Sequence, residues 1–166
     1  MIPHPDNQHI AAKCAVITVS DTRTVETDKS GQIIKQLLLD NQHQILLYTI
    51  VKDEPAEIQD LLTSCDDQFA LEAIIFNGGT GIAPRDTTYD VINNWLTKSI
   101  PGFGEIFRYL SYQEIGSRAI ASRAIAGVKN QKLIFSLPGS SNAVTLAMNQ
   151  LILPELNHLL KQIKGK

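Results

Sequence analysis

Apolar residues recur along this chain with two different spacings. Lys13 to Ser20 (Lys-Cys-Ala-Val-Ile-Thr-Val-Ser) and Ala73-Ile74-Ile75-Phe76 are near-continuous apolar runs, short and bounded by turn residues. Such runs predict strands covered on both faces, as in a parallel sheet. Between them, Ile33, Ile34, Leu37 and Leu38 fall at helical spacing, with Asp28 or Ser30 placed to cap the helix. Gln44 to Val51 alternates loosely around Ile45, Leu47 and Ile50 and predicts a second strand. Pro55 then suits the first turn of a helix whose apolar face is Ile58, Leu61, Leu62 and Cys65. The order β-α-β-α-β, with right-handed crossovers, makes a parallel three-stranded core.

The second half continues in the same manner. Val91, Ile92, Trp95 and Leu96 predict a helix from Thr87 to about residue 98, and Phe103, Ile106, Phe107 and Leu110 predict another behind a Gly/Pro turn. Gly116 to Ala121 is read as a short helix. Ala124–Val128 and Lys132–Leu137, joined by Lys129-Asn130-Gln131, predict a β-hairpin. After the turn Leu137-Pro138-Gly139-Ser140-Ser141-Asn142-Ala143, one helix is expected to about Leu153 and a last one over Pro154–Ile163. No repeat or linker interrupts the pattern, so residues 1–166 are expected to form one domain, with residues 1–12 a flexible tail.

Composition narrows the function more by exclusion than by indication. With 43% hydrophobic and 19% charged residues the chain is ordinary for a globular domain. A net charge of −2 without a basic cluster argues against nucleic-acid binding. No apolar run approaches the roughly 18 residues of a membrane span, and the polar start lacks a signal segment, so a cytoplasmic protein is expected. Cys14 and Cys65 lack metal-ligand spacing and are read as buried thiols. His4, His9, His43 and His158 are scattered, and no Gly-x-Ser-x-Gly elbow marks a hydrolase.

Positive indications concentrate after the strands. Phe76-Asn-Gly-Gly-Thr-Gly-Ile-Ala-Pro-Arg-Asp-Thr-Thr-Tyr-Asp90 is a strand-to-helix turn with three glycines. Gly78, Gly79, Thr80 and Gly81 let the backbone approach a ligand closely, and amides opening the next helix favour an anion. Arg85 adds a phosphate-pairing guanidinium beside Asp86. A plain helix cap is the alternative use of the same residues.

Acidic groups also follow each early strand: Asp21, then Asp53 and Glu54, then Asp86. Ligands of open α/β sheets sit at this end of the strands. Carboxylates gathered there repel one another unless a cation separates them, and Mg²⁺ is the natural candidate. With the Gly139–Ser141 turn adding amides, this acid-plus-amide pattern suits nucleotidyl transfer, which is mostly positioning and charge stabilisation.

Gly78-Gly79-Thr80-Gly81 with Arg85-Asp86-Thr87, then Pro101-Gly102-Phe103-Gly104-Glu105, then Leu137-Pro138-Gly139-Ser140, occur in this order. The set resembles the MoaB/MogA family of molybdenum-cofactor biosynthesis, which includes the G domains of the plant and animal cofactor-insertion proteins. Val19-Ser20-Asp21, Asp28-Lys29-Ser30-Gly31 and Asp53-Glu54 look similar too, and the likeness spans about residues 13–163.

The resemblance implies a three-layer α/β/α sandwich with a mainly parallel sheet plus the C-terminal hairpin, assembled as a homotrimer or a hexamer of two trimers. It implies binding of molybdopterin and, in active members, its adenylylation by Mg²⁺-ATP, with a molybdate-inserting partner downstream. A non-catalytic molybdopterin-binding protein of the same fold is the alternative. By motif, Asp53 and Asp86 match the family's essential acids, as catalytic groups and Mg²⁺ ligands. Gly78, Gly79, Thr80, Gly81 and Arg85 would face phosphate. Ser20, Asp21, Glu105, Pro138, Gly139, Ser140 and Ser141 would contact pterin or phosphate. Asn142 stands where the family often carries a basic residue.

Overall fold

The computed structural model describes residues 10–165. Of the tail expected over residues 1–12, residues 1–9 lie outside them, whereas Ala12 is buried and its carbonyl accepts from the Gln44 amide at 2.8 Å. Six strands form one sheet in the order β2-β1-β3-β6-β5-β4. They are β1 (Lys13–Val19), β2 (Gln44–Val51), β3 (Ala73–Asn77), β4 (Lys98–Ser99), β5 (Ile125–Lys129) and β6 (Lys132–Leu137). The pairs β1–β2, β1–β3 and β3–β6 are parallel, whereas β5 runs antiparallel to both β6 and β4. The predicted three-stranded core is therefore extended by a fourth parallel strand that arrives through the hairpin.

Burial follows strand position. Apart from Lys13, β1 is buried throughout, and β3 and β6 are buried at every residue, whereas the outer strand β2 alternates at its start between exposed and half-buried positions. Helices α1 (Lys29–Asp40), α4 (Pro101–Ile115), α5 (Ser141–Ala147) and α6 (Leu153–Lys164) cover one face. There Ile34, Leu38, Phe103, Phe107, Met148 and Leu156 pack on Cys14, Val16, Ile75 and Phe135. Helices α2 (Pro55–Asp66) and α3 (Thr88–Trp95) cover the other face, where Ile58, Leu62 and Ile92 meet Ile17, Ile74, Phe76 and Ile134. This is the expected three-layer α/β/α sandwich. Cys14 and Cys65 are free and buried, and burial pushes their thiols up to about 12 and about 11.

Three local departures have physical causes. Helix α3 ends at Trp95 rather than near residue 98, because Leu96 turns extended and the Thr97 amide donates to the Val128 carbonyl, feeding the short edge strand β4. The hairpin turn is only Asn130 and Gln131, both at positive φ (47° and 60°), with Lys129 opposite Lys132. Two left-handed residues match the twist of the flanking strands. At the C-terminus the two predicted helices run together through a π-helical turn, Met148–Ile152, ahead of Pro154. A proline inside a helix removes a donor and crowds the preceding turn, and a widened turn relieves both.

Candidate active site

Strands β1, β3 and β6 lie side by side and parallel, so the turns that follow them meet at one end of the sheet. The Gly78 amide donates to the Leu137 carbonyl at 2.9 Å, tying the second turn to the third. Gly78 holds φ at +105°, and a Cβ there would lie 2.2 Å from the Val19 carbonyl oxygen. No other residue fits that position. A Cβ on Gly139 would approach the Gly78 α-carbon to 3.1 Å, so the two glycine turns are in contact.

These turns floor a cavity of about 550 Å³, within the range of small-molecule sites. Ser20, Thr22 and Arg23 border it from the first turn, Gly78 to Gly81 and Asp86 from the second, and Pro138 to Ser140 from the third. Phe107, Ser111 and Ile115 of α4, with Arg118, Ala119 and Ser122 beyond it, close the far side. One wall is thus largely apolar and the other is polar backbone. Arg23, Arg118 and one carboxylate, Asp86, are the charged side chains of its lining, so guanidinium groups and turn amides are both at hand for an anion.

Arg23 was not among the residues singled out by sequence, yet it is the best-anchored cation here. Its guanidinium donates to Ser30 Oγ, to the Gly139 carbonyl at 2.9 Å, and approaches Asp28 at 3.5 Å. Asp28 does cap α1, accepting from the Gly31 amide at 3.0 Å, but it also accepts from Thr18 Oγ1 at 2.5 Å and Tyr48 Oη at 2.8 Å. Burial alone would raise its carboxyl; those donors outweigh burial and hold it below the usual aspartate range. Asn77 joins the same buried network, accepting from Ser30 and donating to Thr18. The signal for Arg23 was available, since it lies in the loop directly after β1. Arg118 and Ser111 carried none, because α4 and the short 3₁₀ helix Gly116–Ala121 that follows it meet the cavity only in three dimensions.

Several predicted residues sit elsewhere. Asp53 is 6% exposed and lies behind the glycine turn, where one oxygen accepts from the Thr87 amide (3.1 Å), Thr87 Oγ1 (2.7 Å) and Thr88 Oγ1 (3.2 Å). Arg85, expected to face phosphate, instead holds Asp21 through two bonds of 2.8 Å and Glu54 through one of 2.6 Å. Those bonds keep the Asp21 carboxyl low and raise the guanidinium further. The cation between the first two acidic loops is therefore this side chain. Asp86 accepts from the Ala83 amide at 3.0 Å. Glu105 borders a separate groove with Tyr89, Asn93 and Arg108, and Ser141 lies within α5, outside the cavity wall. Among the described residues, no three or more His, Cys, Asp or Glu side chains are grouped so that they could hold a metal ion by themselves.

The comparisons agree with this architecture. The family profile described as "Probable molybdopterin binding domain" matches residues 15–158. Molybdenum cofactor biosynthesis protein B of Halalkalibacterium halodurans is 55% identical over 152 residues, covering 91% of this chain and 89% of that protein. Its counterpart from Bacillus subtilis is 54% identical over 154 residues, covering 92% and 90%. A crystal structure of a molybdenum cofactor biosynthesis protein B superposes with a TM-score of 0.92 at 47% identity, over 95% of this chain and 98% of that one. The tungsten cofactor synthesizing protein MoaB from Pyrococcus furiosus gives 0.84 at 34%, over 95% and 99%. This chain belongs to the MoaB/MogA family of molybdenum-cofactor biosynthesis proteins.

Proposed function

We propose that this chain transfers AMP from Mg²⁺-ATP to molybdopterin, giving adenylyl-molybdopterin and pyrophosphate. A terminal phosphate oxygen of molybdopterin attacks the α-phosphorus of ATP, the bond from that phosphorus to the β-bridging oxygen breaks, and pyrophosphate leaves. The observation that carries the reading is one cavity that gathers the glycine turns after β3 and β6, Arg23, Arg118 and one carboxylate. Such a transfer demands little covalent chemistry of the protein and much charge placement. Arg23 and the turn amides would offset phosphate charge, and the apolar wall at Phe107 and Ile115 suits a flat ring.

Asp86 is the carboxylate that borders the cavity, and Mg²⁺ commonly takes one or two carboxylates plus water and phosphate oxygens. That fits a metal that arrives with the triphosphate, held from the protein side by Asp86. Asp53 contributes by fixing the turn, since its oxygen already accepts three donors. That engagement is also what favours a second reading, a non-catalytic molybdopterin-binding protein. In either case the pterin would pass on to a molybdate-inserting partner.

The test is turnover of purified protein with fresh molybdopterin and Mg²⁺-ATP, following adenylyl-molybdopterin and pyrophosphate. Product from the wild type, lost in a folded Asp86→Asn variant, supports the transferase. Pterin binding without product moves the function to the second reading, and absence of both rejects each.

A further inference from the structure

Arg123, just ahead of β5, touches the segment that carries Asp86 from behind. Its Nε donates to the Gly81 carbonyl at 2.9 Å, and one terminal nitrogen donates to the Asp86 carbonyl at 3.0 Å. The other terminal nitrogen donates to both carboxylate oxygens of Asp90, at 3.1 and 3.0 Å. The guanidinium also lies 4.8 Å over the Tyr89 ring. Every edge of the planar fork is thus in use.

Gly81 and Asp86 are the two ends of an exposed strap, residues 81–86, and the ends nearly touch. A Cβ on Gly81 would fall 2.5 Å from an Asp86 carboxylate oxygen. Inside the strap only short-range bonds between Ala83 and Asp86 hold its shape. Ile82 within it is 75% exposed and belongs to neither core cluster. Outside contacts come from Arg85 toward solvent-exposed carboxylates and from Arg123 at both ends. A rigid fork spanning the two terminal carbonyls determines where the Asp86 carboxylate points, and a point-charge ammonium cannot span them in the same way.

We propose that Arg123 is a positioning residue: by clamping the carbonyls of Gly81 and Asp86 it aims the Asp86 carboxylate into the cavity, acting on the reaction only through that group. The inference rests on the reading above that Asp86 faces the reacting phosphates. Its effect should therefore appear in the chemical step, because ligand binding draws on Arg23, Arg118 and the other turns, which Arg123 does not touch.

The experiment pairs turnover with backbone hydrogen exchange on the full chain, for wild type, Arg123→Ala and Arg123→Lys. The clamp predicts that both variants lose about tenfold to a hundredfold in kcat, the scale of a small misplacement, with KM within about threefold. It also predicts faster exchange confined to the hydrogen-bonded amides of Ala83, Asp86 and Thr87, with thermal midpoints showing the rest of the fold intact. Full kcat in both variants overturns the proposal, as does a loss confined to KM. If wild type itself makes no product, the functional reading fails and exchange alone decides: a loosened strap supports the clamp, and unchanged strap exchange removes it. Should Arg123→Ala not fold, Arg123→Lys and Asp90→Asn carry the same comparison.

Discussion

The backbone amide and the side-chain hydroxyl of Thr87 both donate to a single oxygen of Asp53, at 3.1 and 2.7 Å, across 34 residues of sequence. Helix α3 has no capping side chain of its own, since Thr87 at its N-cap makes no such bond. The acid that follows β2 supplies the missing acceptor, and its negative charge lies at the helix end where the backbone dipole favours it. The β2 loop, the glycine turn and α3 are joined at this point.

Removing that acceptor should therefore be felt in folding before it is felt in chemistry. Asp53→Ala strands the Thr87 amide and two hydroxyls, at a cost of about 1–3 kcal/mol in unfolding free energy. Asp53→Asn keeps one acceptor oxygen and should lose clearly less. Urea unfolding of the two variants checks this ordering, and equal losses would mean that charge matters here and the hydrogen bonds do not.

Arg85 leads to the opposite expectation. Its partners Asp21 and Glu54 are exposed, and pairs of this kind add little to stability and weaken further in salt. It also lies outside the cavity wall. Arg85→Ala should leave the thermal midpoint near wild type and KM for ATP within about threefold. A tenfold or larger rise in KM would return Arg85 to the phosphate-binding role that its place in the motif suggests.

What could be read from the sequence was whatever depends on local pattern. The buried runs of β1, β3 and β6 and the helical spacing of α1, α2 and α4 are short-range features, and they appear where the pattern puts them. The glycine turns were legible because residue type limits backbone geometry: Gly78 sits where a Cβ would collide with Val19. Side-chain direction was not legible. Asp53 and Arg85 stand in the right loops, but whether such a group faces ligand or scaffold depends on neighbours 31 to 64 residues away. Arg123 was overlooked for the same reason, since its carbonyl and carboxylate partners lie 33 to 42 residues away in sequence.

The buried Asp28 gives a prediction in pH. Its carboxyl stays charged to lower pH in the folded chain than in the unfolded one. The stability it supplies is therefore complete above the unfolded value near 3.9 and is lost as pH falls through the folded value. Asp28→Asn should cost about 1–3 kcal/mol at pH 7, where hydrogen bonds to a charged group are replaced by bonds to a neutral one. Below about pH 4 the gap between wild type and variant should narrow. Denaturant unfolding of both proteins across this range reads it directly, and a gap that stays constant would show that Asp28 does not titrate with folding. Tyr48, whose hydroxyl is pushed up to about 12 by burial and by Asp28, remains a donor throughout.

Self-association, which the family resemblance implies, needs an exposed apolar surface. Phe103 and Phe107 of α4 are core residues with ring centroids 6.4 Å apart. The solvent side of α4 instead exposes Ile106, Tyr109, Tyr112 and Ile115. Large apolar groups gathered on one exposed helix commonly mark a contact between proteins. If that surface joins copies of this chain, sedimentation should give a trimer or hexamer of the 18.3 kDa subunit. Tyr109→Glu would place a charge in the contact and should shift the population toward monomer while leaving the far-ultraviolet circular dichroism unchanged. A wild type that sediments as a monomer would remove the oligomer, and an assembly indifferent to Tyr109→Glu and Ile106→Glu would put the contact on another face.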